Sequence, residues 1–411
     1  MASSRKDSKG YVLRPGESQR QDGRYAYSYT DRRGKRHYVY AKSLVELRKK
    51  EQQINKDIYD GIDPLAAERI TVNQIYDRYM EDKYDLKETT RTNYLYVYDH
   101  FIRETFGMRK VASVRYSDVK KFYYDIILEK KMKACTLESV HTQLHPAFQM
   151  AVRDGLIRIN PTDGVMAEIK KSHVWDKKKR MSLTIPQQRT FMKYLYESRD
   201  FLGWKPVITV LLGTGMRIGE CLGLRWDDVD LENRTINVNH SLVHRKIRGD
   251  KSGKIKHINT PKTEAGNRII PMLPEVYDAL IEEYQIQSIT GYCKEVVDGY
   301  ENFIFSTSEG TVTIPSEVNN AIDRIIEAYN NEERAKAKKE KREPFLLPHF
   351  SAHHLRHTFC TRVCENETNV KAVQAIMGHA NVTTTLDVYA DVTEEKKKEV
   401  IAHLENKVII V

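Results

Sequence analysis

Ser351-Ala352-His353-His354-Leu355-Arg356-His357-Thr358 is the stretch from which the rest of the chain is read. His353 and Arg356 stand at i and i+3, so on a helix both side chains face one way. His353 and His357 stand at i and i+4, which raises a metal reading, since imidazole is a common ligand. That reading is weak: no acidic residue lies between the two, and Arg356 on the same face would repel a cation. Downstream come Ile376-Met377-Gly378-His379-Ala380-Asn381 and Thr383-Thr384-Thr385-Leu386-Asp387-Val388-Tyr389-Ala390. With 24 tyrosines in the chain, Tyr389 gains meaning only from the company it keeps.

Upstream, Leu212-Gly213-Thr214-Gly215-Met216-Arg217-Ile218-Gly219-Glu220 sets Arg217 at the start of a helix after a glycine turn. A helix N-terminus presents unpaired N–H groups and a positive dipole end, which suits phosphate. Glu220, one turn on, is placed to pair with Arg217. Ile255–Asn259 and Arg268–Ile270 read as paired strands, with Lys262 at the hairpin tip between them. Singly, each of these is ordinary. Together they form a phosphate-transfer set. Two guanidiniums clamp nonbridging oxygens, imidazoles donate hydrogen bonds or move protons, a phenol serves as nucleophile and a lysine as acid. No carboxylate cluster suited to two magnesium ions is evident, which disfavours metal-dependent nuclease chemistry.

The order Arg, Lys, His-x-x-Arg, Gly-His, Tyr resembles that of the tyrosine recombinases, the phage-integrase family, over roughly residues 180–395. Residues Lys9-Gly10 through Gly16-Glu17-Ser18-Gln19-Arg20 and Asp22-Gly23-Arg24-Tyr25 resemble the N-terminal domain of conjugative-transposon integrases, which binds arm-type repeats. The resemblance implies a site-specific recombinase of a mobile element. In it Tyr389 attacks a scissile phosphate, forming a 3′-phosphotyrosine and releasing a 5′-hydroxyl. Arg217 and Arg356 then hold the phosphoryl oxygens, His379 adds a hydrogen bond, Lys262 protonates the leaving oxygen and His353 helps move the tyrosine proton. Glu220 and His357 support them. Because the bond energy stays in the covalent link, neither ATP nor metal is implied as a cofactor. A four-way Holliday junction and a homotetramer on two DNA sites follow from the same resemblance. It also implies an excisionase and host DNA-bending proteins as accessory partners, and C-terminal segments that pack between neighbours.

Composition agrees in kind. Lys and Arg number 67 against 57 Asp and Glu, a surplus of ten that favours a polyanion partner. Residues 1–42 hold eleven basic and four acidic side chains, a surplus of seven. Within them Gly10–Leu13, Arg24–Tyr29 and Arg36–Tyr40 read as three strands, followed by a helix from Ser43 to about Asp60. One face of that sheet is expected to meet DNA, through Arg24, Tyr25 or Tyr27, and Arg36 or Tyr38. Period-two alternation lets only one of each neighbouring pair point outward. The fold class expected is α+β and multidomain. An arm-type DNA-binding domain of three strands and a helix spans 1–65, and an all-α core-binding domain spans 66–168. A basic linker at 169–182 leads to a mixed α/β catalytic domain with a C-terminal tail at 183–411.

Five scattered cysteines point to reduced thiols in a cytoplasm, and the resemblance implies a bacterial one, with nucleoid association when bound to DNA. Cys360 and Cys364 read as helix packing. No apolar run reaches the roughly 18–20 residues that span a bilayer, so no membrane partner is expected. The segment Asn330–Glu343, almost all charged or Ala, reads as an exposed helix extension or loop without an assigned role. Two rivals share these residues: a type IB topoisomerase, against which the arm-binding domain argues, and a noncatalytic DNA-binding regulator, which would not need the Tyr389 constellation.

Overall fold

The computed structural model describes residues 5–30, 34–62, 68–86, 88–175, 182–246, 253–261 and 264–390. The chain divides into two compact units, at 1–178 and 179–411.

In the first unit, strands β1 (Glu17–Gln19), β2 (Tyr25–Thr30) and β3 (Arg36–Ala41) form an antiparallel sheet in the order β1-β2-β3. The first strand lies later than the sequence suggests. Gly10 instead closes a turn at Ser8–Gly10, and Val12 bridges antiparallel to Lys6; the Asp7 carboxylate accepts the backbone N–H groups of Lys9 and Tyr11. Helix α1 (Leu44–Tyr59) begins at Ser43, whose side chain accepts the Glu46 N–H. Its buried Leu47 and Ile54 need an apolar cover, and Tyr25, Tyr27 and Tyr29 of β2 supply it. Their inward parity commits the opposite face to solvent.

The rest of this unit is helical: α2 (Val72–Glu81), α3 (Glu88–Tyr98), α4 (Tyr116–Leu128), α5 (Ala134–Arg153) and α6 (Val165–Lys170). Thr71 and Gln74 cap α2 reciprocally. The helix that opens at Glu88 does not run on to Phe106. After Tyr98 the chain passes into a π-helical turn at Asp99–Arg103, where Arg103 binds Asp99 (2.6 Å) and Asp77 (2.9 Å). The periodic aromatics are core, as Tyr76 stacked on Tyr98 at 3.5 Å shows. Arg158 ties the end of α1 to this helical bundle through Asp57 (2.6 Å) and Asp60. Lys177–Arg180, the centre of the expected basic linker, lies outside the described residues.

The second unit packs α7 (Ile185–Glu197), α8 (Lys205–Thr214), α9 (Ile218–Leu222), α10 (Pro274–Thr290) and α11 (Pro315–Glu340) around one large apolar core. A three-stranded sheet β4 (Val229–Asp230), β5 (Thr235–Val238), β8 (Arg268–Pro271) lies beside a hairpin of β6 (Ser241–Lys246) and β7 (Lys254–Asn259). The expected pairing of Ile255–Asn259 with Arg268–Ile270 is therefore wrong. Each strand has another partner: β7 takes β6, and β8 takes β5, with Ile236 opposite Ile270 in the core. Sequence proximity favoured the local hairpin, but burial of Ile236 and Ile270 favoured the nonlocal one. The connection between β7 and β8 thus passes from one sheet to the other. Lys262, within it, lies outside the described residues. Helices α12 (Ala352–Asn366), α13 (Val370–Met377) and α14 (Val382–Ala390) close the unit. Among the described residues no helix is long and apolar enough to cross a membrane.

Candidate active site

The site is built where α8, α9, β8, α12 and α13 converge. Helix α8 ends at Gly215 in a left-handed turn (φ +63°). A Cβ there would meet Phe359 Cδ1 at 2.3 Å, so glycine lets α12 approach. Two residues on, Arg217 is the N-cap of α9, and Glu220 answers it: Oε2 accepts the Arg217 backbone N–H at 2.9 Å and Oε1 accepts Nη1 at 2.6 Å.

Three guanidiniums surround that one carboxylate and the turn that closes α13. Arg268 Nη2 donates to Glu220 Oε2 at 2.7 Å and its Nε to the Ile376 carbonyl at 2.8 Å. Arg356 donates to the carbonyls of Gly215 (2.6 Å) and Met377 (2.7 Å). Arg217 Nη2 reaches the Gly378 carbonyl at 3.1 Å. The carbonyls ending a helix carry its negative dipole end and attract cations. Gly378 has φ +61°, and a Cβ there would meet the Arg268 Nη1 and the Ala265 carbonyl at 2.9 Å each. Only a bare Cα lets this turn sit among the arginines, and the turn delivers His379. Arg268 was not singled out in the sequence. Its only signal was an arginine opening an otherwise apolar strand.

The electrostatics follow from burial. Burial opposes charge on Glu220, but the hydrogen bond from Arg268 and the charges of Arg268 and Arg217 hold it below the usual carboxylate range. Burial, then the neighbouring Arg217, lowers Arg356 to about 10, so it stays cationic at neutral pH. Burial, then Arg356 and Arg217, lowers His379 to about 4. His379 is accordingly neutral at pH 7, with Nδ1 sharing a 2.9 Å hydrogen bond with Thr385 Oγ1 on α14. Three cations against one carboxylate leave a surplus that an anion would satisfy, and Arg217 remains the exposed member.

Tyr389 is half-buried on α14, packed on a cluster containing Cys360, Cys364 and Val388. Its hydroxyl donates to the Glu367 carbonyl at the end of α12 (2.6 Å). Burial, with Cys364 and Glu367 nearby, raises the phenol above its ordinary value. The proton is thus held on the oxygen in this arrangement. His353 is exposed on the first turn of α12, and His357 follows one turn later, half-buried. The tail beyond Ala390 lies outside the described residues.

Residues 182–396 match the family model described as the phage integrase family, and residues 1–58 match the DNA binding domain of Tn916 integrase. The chain belongs to the phage integrase family. This integrase is 32% identical to the transposase from transposon Tn1545 of Streptococcus pneumoniae over 406 residues, covering 96% of this chain and 95% of the other. It is 31% identical to the transposase from transposon Tn916 of Enterococcus faecalis, with the same coverage. Among solved structures it resembles the Tn1549 transposon integrase in complex with transposon right end DNA. The TM-score there is 0.69 at 30% identity, covering 82% of this chain and 99% of that one.

The integrase's N-terminal sheet also resolves which tyrosines are available. Tyr25 and Tyr27, named as candidates for DNA contact, are core residues. They face α1, with hydroxyls bonded to Asp7 (2.6 Å) and Asn55 (3.1 Å). The outer face instead carries Arg36, Tyr38 and Tyr40, all exposed. Arg36 lies over the Tyr38 ring (5.8 Å) and Arg20 over the Tyr40 ring (5.1 Å). Arg24 is exposed and paired with Asp22 at 2.7 Å. Tyr40 closes the second alternating run and Arg20 lies outside both, so neither was singled out.

Proposed function

We propose that this tyrosine recombinase is the integrase of a conjugative element, joining and releasing element ends through a covalent link at Tyr389. The observation that carries the reading is the set Arg217–Glu220–Arg268–Arg356, gathered around the turn that presents His379 and followed by Tyr389 on the next helix. A phosphate seated on Arg217 and Arg356 would be held by two planar, bidentate donors. The Tyr389 oxygen attacks phosphorus, the P–O5′ bond breaks, and the electron pair leaves on the 5′-oxygen. Lys262 supplies the proton to that oxygen, and His353 takes up the phenol proton. Glu220 and Arg268 fix the clamp, His379 adds a hydrogen bond to a nonbridging oxygen, and His357 supports His353. Attack by a partner strand's 5′-hydroxyl reverses the step and rejoins the DNA, so no external energy source enters.

The relatives support the substrate: they are transposon proteins, and the Tn1549 integrase is seen with circular intermediate DNA as well as transposon end DNA. Residues 1–65 would bind arm-type sites through the outer face bearing Arg36, Tyr38 and Tyr40, with Arg20 and Arg24 beside it. The helical segment 66–168 would grip the core site, joined by 169–182 to the catalytic segment 183–411. Two strand exchanges require four copies, with an excisionase and host DNA-bending proteins as accessory partners. An apolar groove of about 1220 Å³, lined in part by Met192, Leu212, Val276, Phe359 and Ile376, runs beside Glu367. It suits the C-terminal segment of a neighbouring copy.

A suicide duplex nicked beside the cleavage site tests the reading. The wild type should accumulate a covalent adduct mapping to Tyr389, in EDTA as well as without it. Tyr389→Phe should bind the duplex and form none. An adduct formed by the Phe variant would remove Tyr389 from the role.

A further inference from the structure

The charged segment at 330–343 has no part in the chemistry above, yet its structure is specific. Helix α11 runs unbroken from Pro315 to Glu340. Near its start, Asn319 Oδ1 accepts the Ala352 N–H at 3.0 Å, next to His353, so this end abuts the proposed site. The far end is braced. Asn330 exchanges two hydrogen bonds with the Leu347 backbone (2.9 and 2.8 Å). Buried Glu333 accepts from the Phe345 N–H (2.9 Å) and from Arg342, and these bonds hold it down at about 2. The returning chain thus fixes the last turns of the helix, where a free charged end would fray.

What this brace presents is basic. Residues 334–342 hold six Lys or Arg and one Glu. Arg334, Lys336, Lys338, Lys339 and Lys341 are all exposed. Of the neighbouring acids, Glu333 and Glu340 pair with Arg342 and Glu332 accepts from Tyr194, while Glu343 stands exposed beside Lys341. Lysine ammoniums are point charges with no demand on angle, which suits a phosphate backbone read without sequence.

We propose that the tip of α11 is a second DNA-docking surface, taking the phosphate backbone of duplex that continues beyond the crossover site. It rests on the recombinase reading for the position of the DNA. From Asn319 to Lys339 the helix advances about 30 Å at 1.5 Å per residue. That corresponds to about nine base pairs at 3.4 Å each. Laid along the duplex, the helix would carry this contact into flanking DNA, outside the crossover region.

The test uses the full chain and two duplexes sharing one core site, one ending at the site and one extended by about fifteen base pairs on each side. Lys336→Ala, Lys338→Ala and Lys339→Ala are combined. On the extended duplex the slope of log K against log salt should fall by up to about 2.7, since each neutralised phosphate contributes about 0.9. Affinity there should drop about tenfold or more. On the short duplex, affinity and suicide-substrate cleavage should stay within about twofold of wild type. The corresponding triple Lys→Arg variant should restore the slope. Equal loss on both duplexes would overturn the proposal, because the contact would then lie at the core site or in the fold. No loss on either would also overturn it, and would assign the tip, with exposed Phe345 and Leu346 beside it, to a protein partner. Failure of the wild type to cleave the short substrate would instead count against the recombinase reading.

Discussion

At the residue scale, the arginines of the site differ in how deeply the fold depends on them. Arg217 is exposed, and its loss leaves Glu220 still paired with Arg268. Arg217→Ala should therefore cut cleavage by on the order of a hundredfold, as loss of a fixed charge-stabilising donor does, with little change in unfolding temperature. Arg356 is buried, and its removal leaves the Gly215 and Met377 carbonyls unpaired. Arg356→Ala should lose both activity and stability. Glu220→Gln breaks a buried pair with Arg268, which costs roughly 3–5 kcal/mol when one partner goes. Chemical denaturation and single-turnover cleavage on each variant separate the cases; an Arg217→Ala protein that cleaves at the wild-type rate would take it out of the clamp.

His379 makes a pH prediction. Its folded value of about 4 lies below the unfolded 6.5. Between these values the unfolded chain takes up a proton that the folded chain refuses. Stability is therefore intact above about pH 6.5 and is lost as pH falls toward 4. His141 in the helical bundle is lowered to about 4 too, by burial and then by His145. Acid destabilisation over this window should be shallower in His379→Asn. An unchanged slope in that variant would assign the acid sensitivity to other groups.

At the scale of elements, the N-terminal sheet separates its two faces by parity alone. Tyr27→Ala removes a buried ring, which costs roughly 3–5 kcal/mol for a large aromatic, and should unfold the domain. Tyr38→Ala and Arg36→Ala touch only the outer face. They should leave its unfolding unchanged and weaken binding to element-end repeats, with Arg36→Ala lowering the salt slope by about 0.9. Equal binding by Tyr38→Ala, Arg36→Ala and wild type would move the interface off this face. The helix cap at Ser43 was legible in the sequence because it lies three residues from its partner. The partnering of β7 and β8 was not, since strands separated by a short loop look alike whether they pair with each other or with others.

At the scale of the whole molecule, arm binding and strand cleavage should be separable. The proposed catalytic set lies in the second unit, beyond residue 179, and the N-terminal sheet lies in the first. Deleting residues 1–65 should leave nicking of a core-site suicide substrate intact. It should abolish bridging to arm repeats and integration of a complete element end. The deletion also removes Asp57 and Asp60 from Arg158, so the point variants Arg36→Ala and Tyr38→Ala are the cleaner partners to it. Full integration by the truncated chain would refute the arm-binding role.

The amino-acid sequence by itself determined the family and the order of the chemistry. His-x-x-Arg and Gly-His are local spacings, and a local spacing survives any arrangement of the rest. It also determined the α+β class and the basic N-terminus, since periodicity and charge are properties of short windows. Only the tertiary structure decided that Arg268 joins Arg217 and Arg356, because a buried ion pair between residues 220 and 268 depends on which strand lies beside β5. Only it decided which tyrosines of β2 are core, because the position of α1 breaks the symmetry between the two faces of a sheet. The hydrogen bond that holds Tyr389 against Glu367 is of the same kind. It joins two helix ends brought together by burial of Val373 and Met377, a contact that no window of sequence contains.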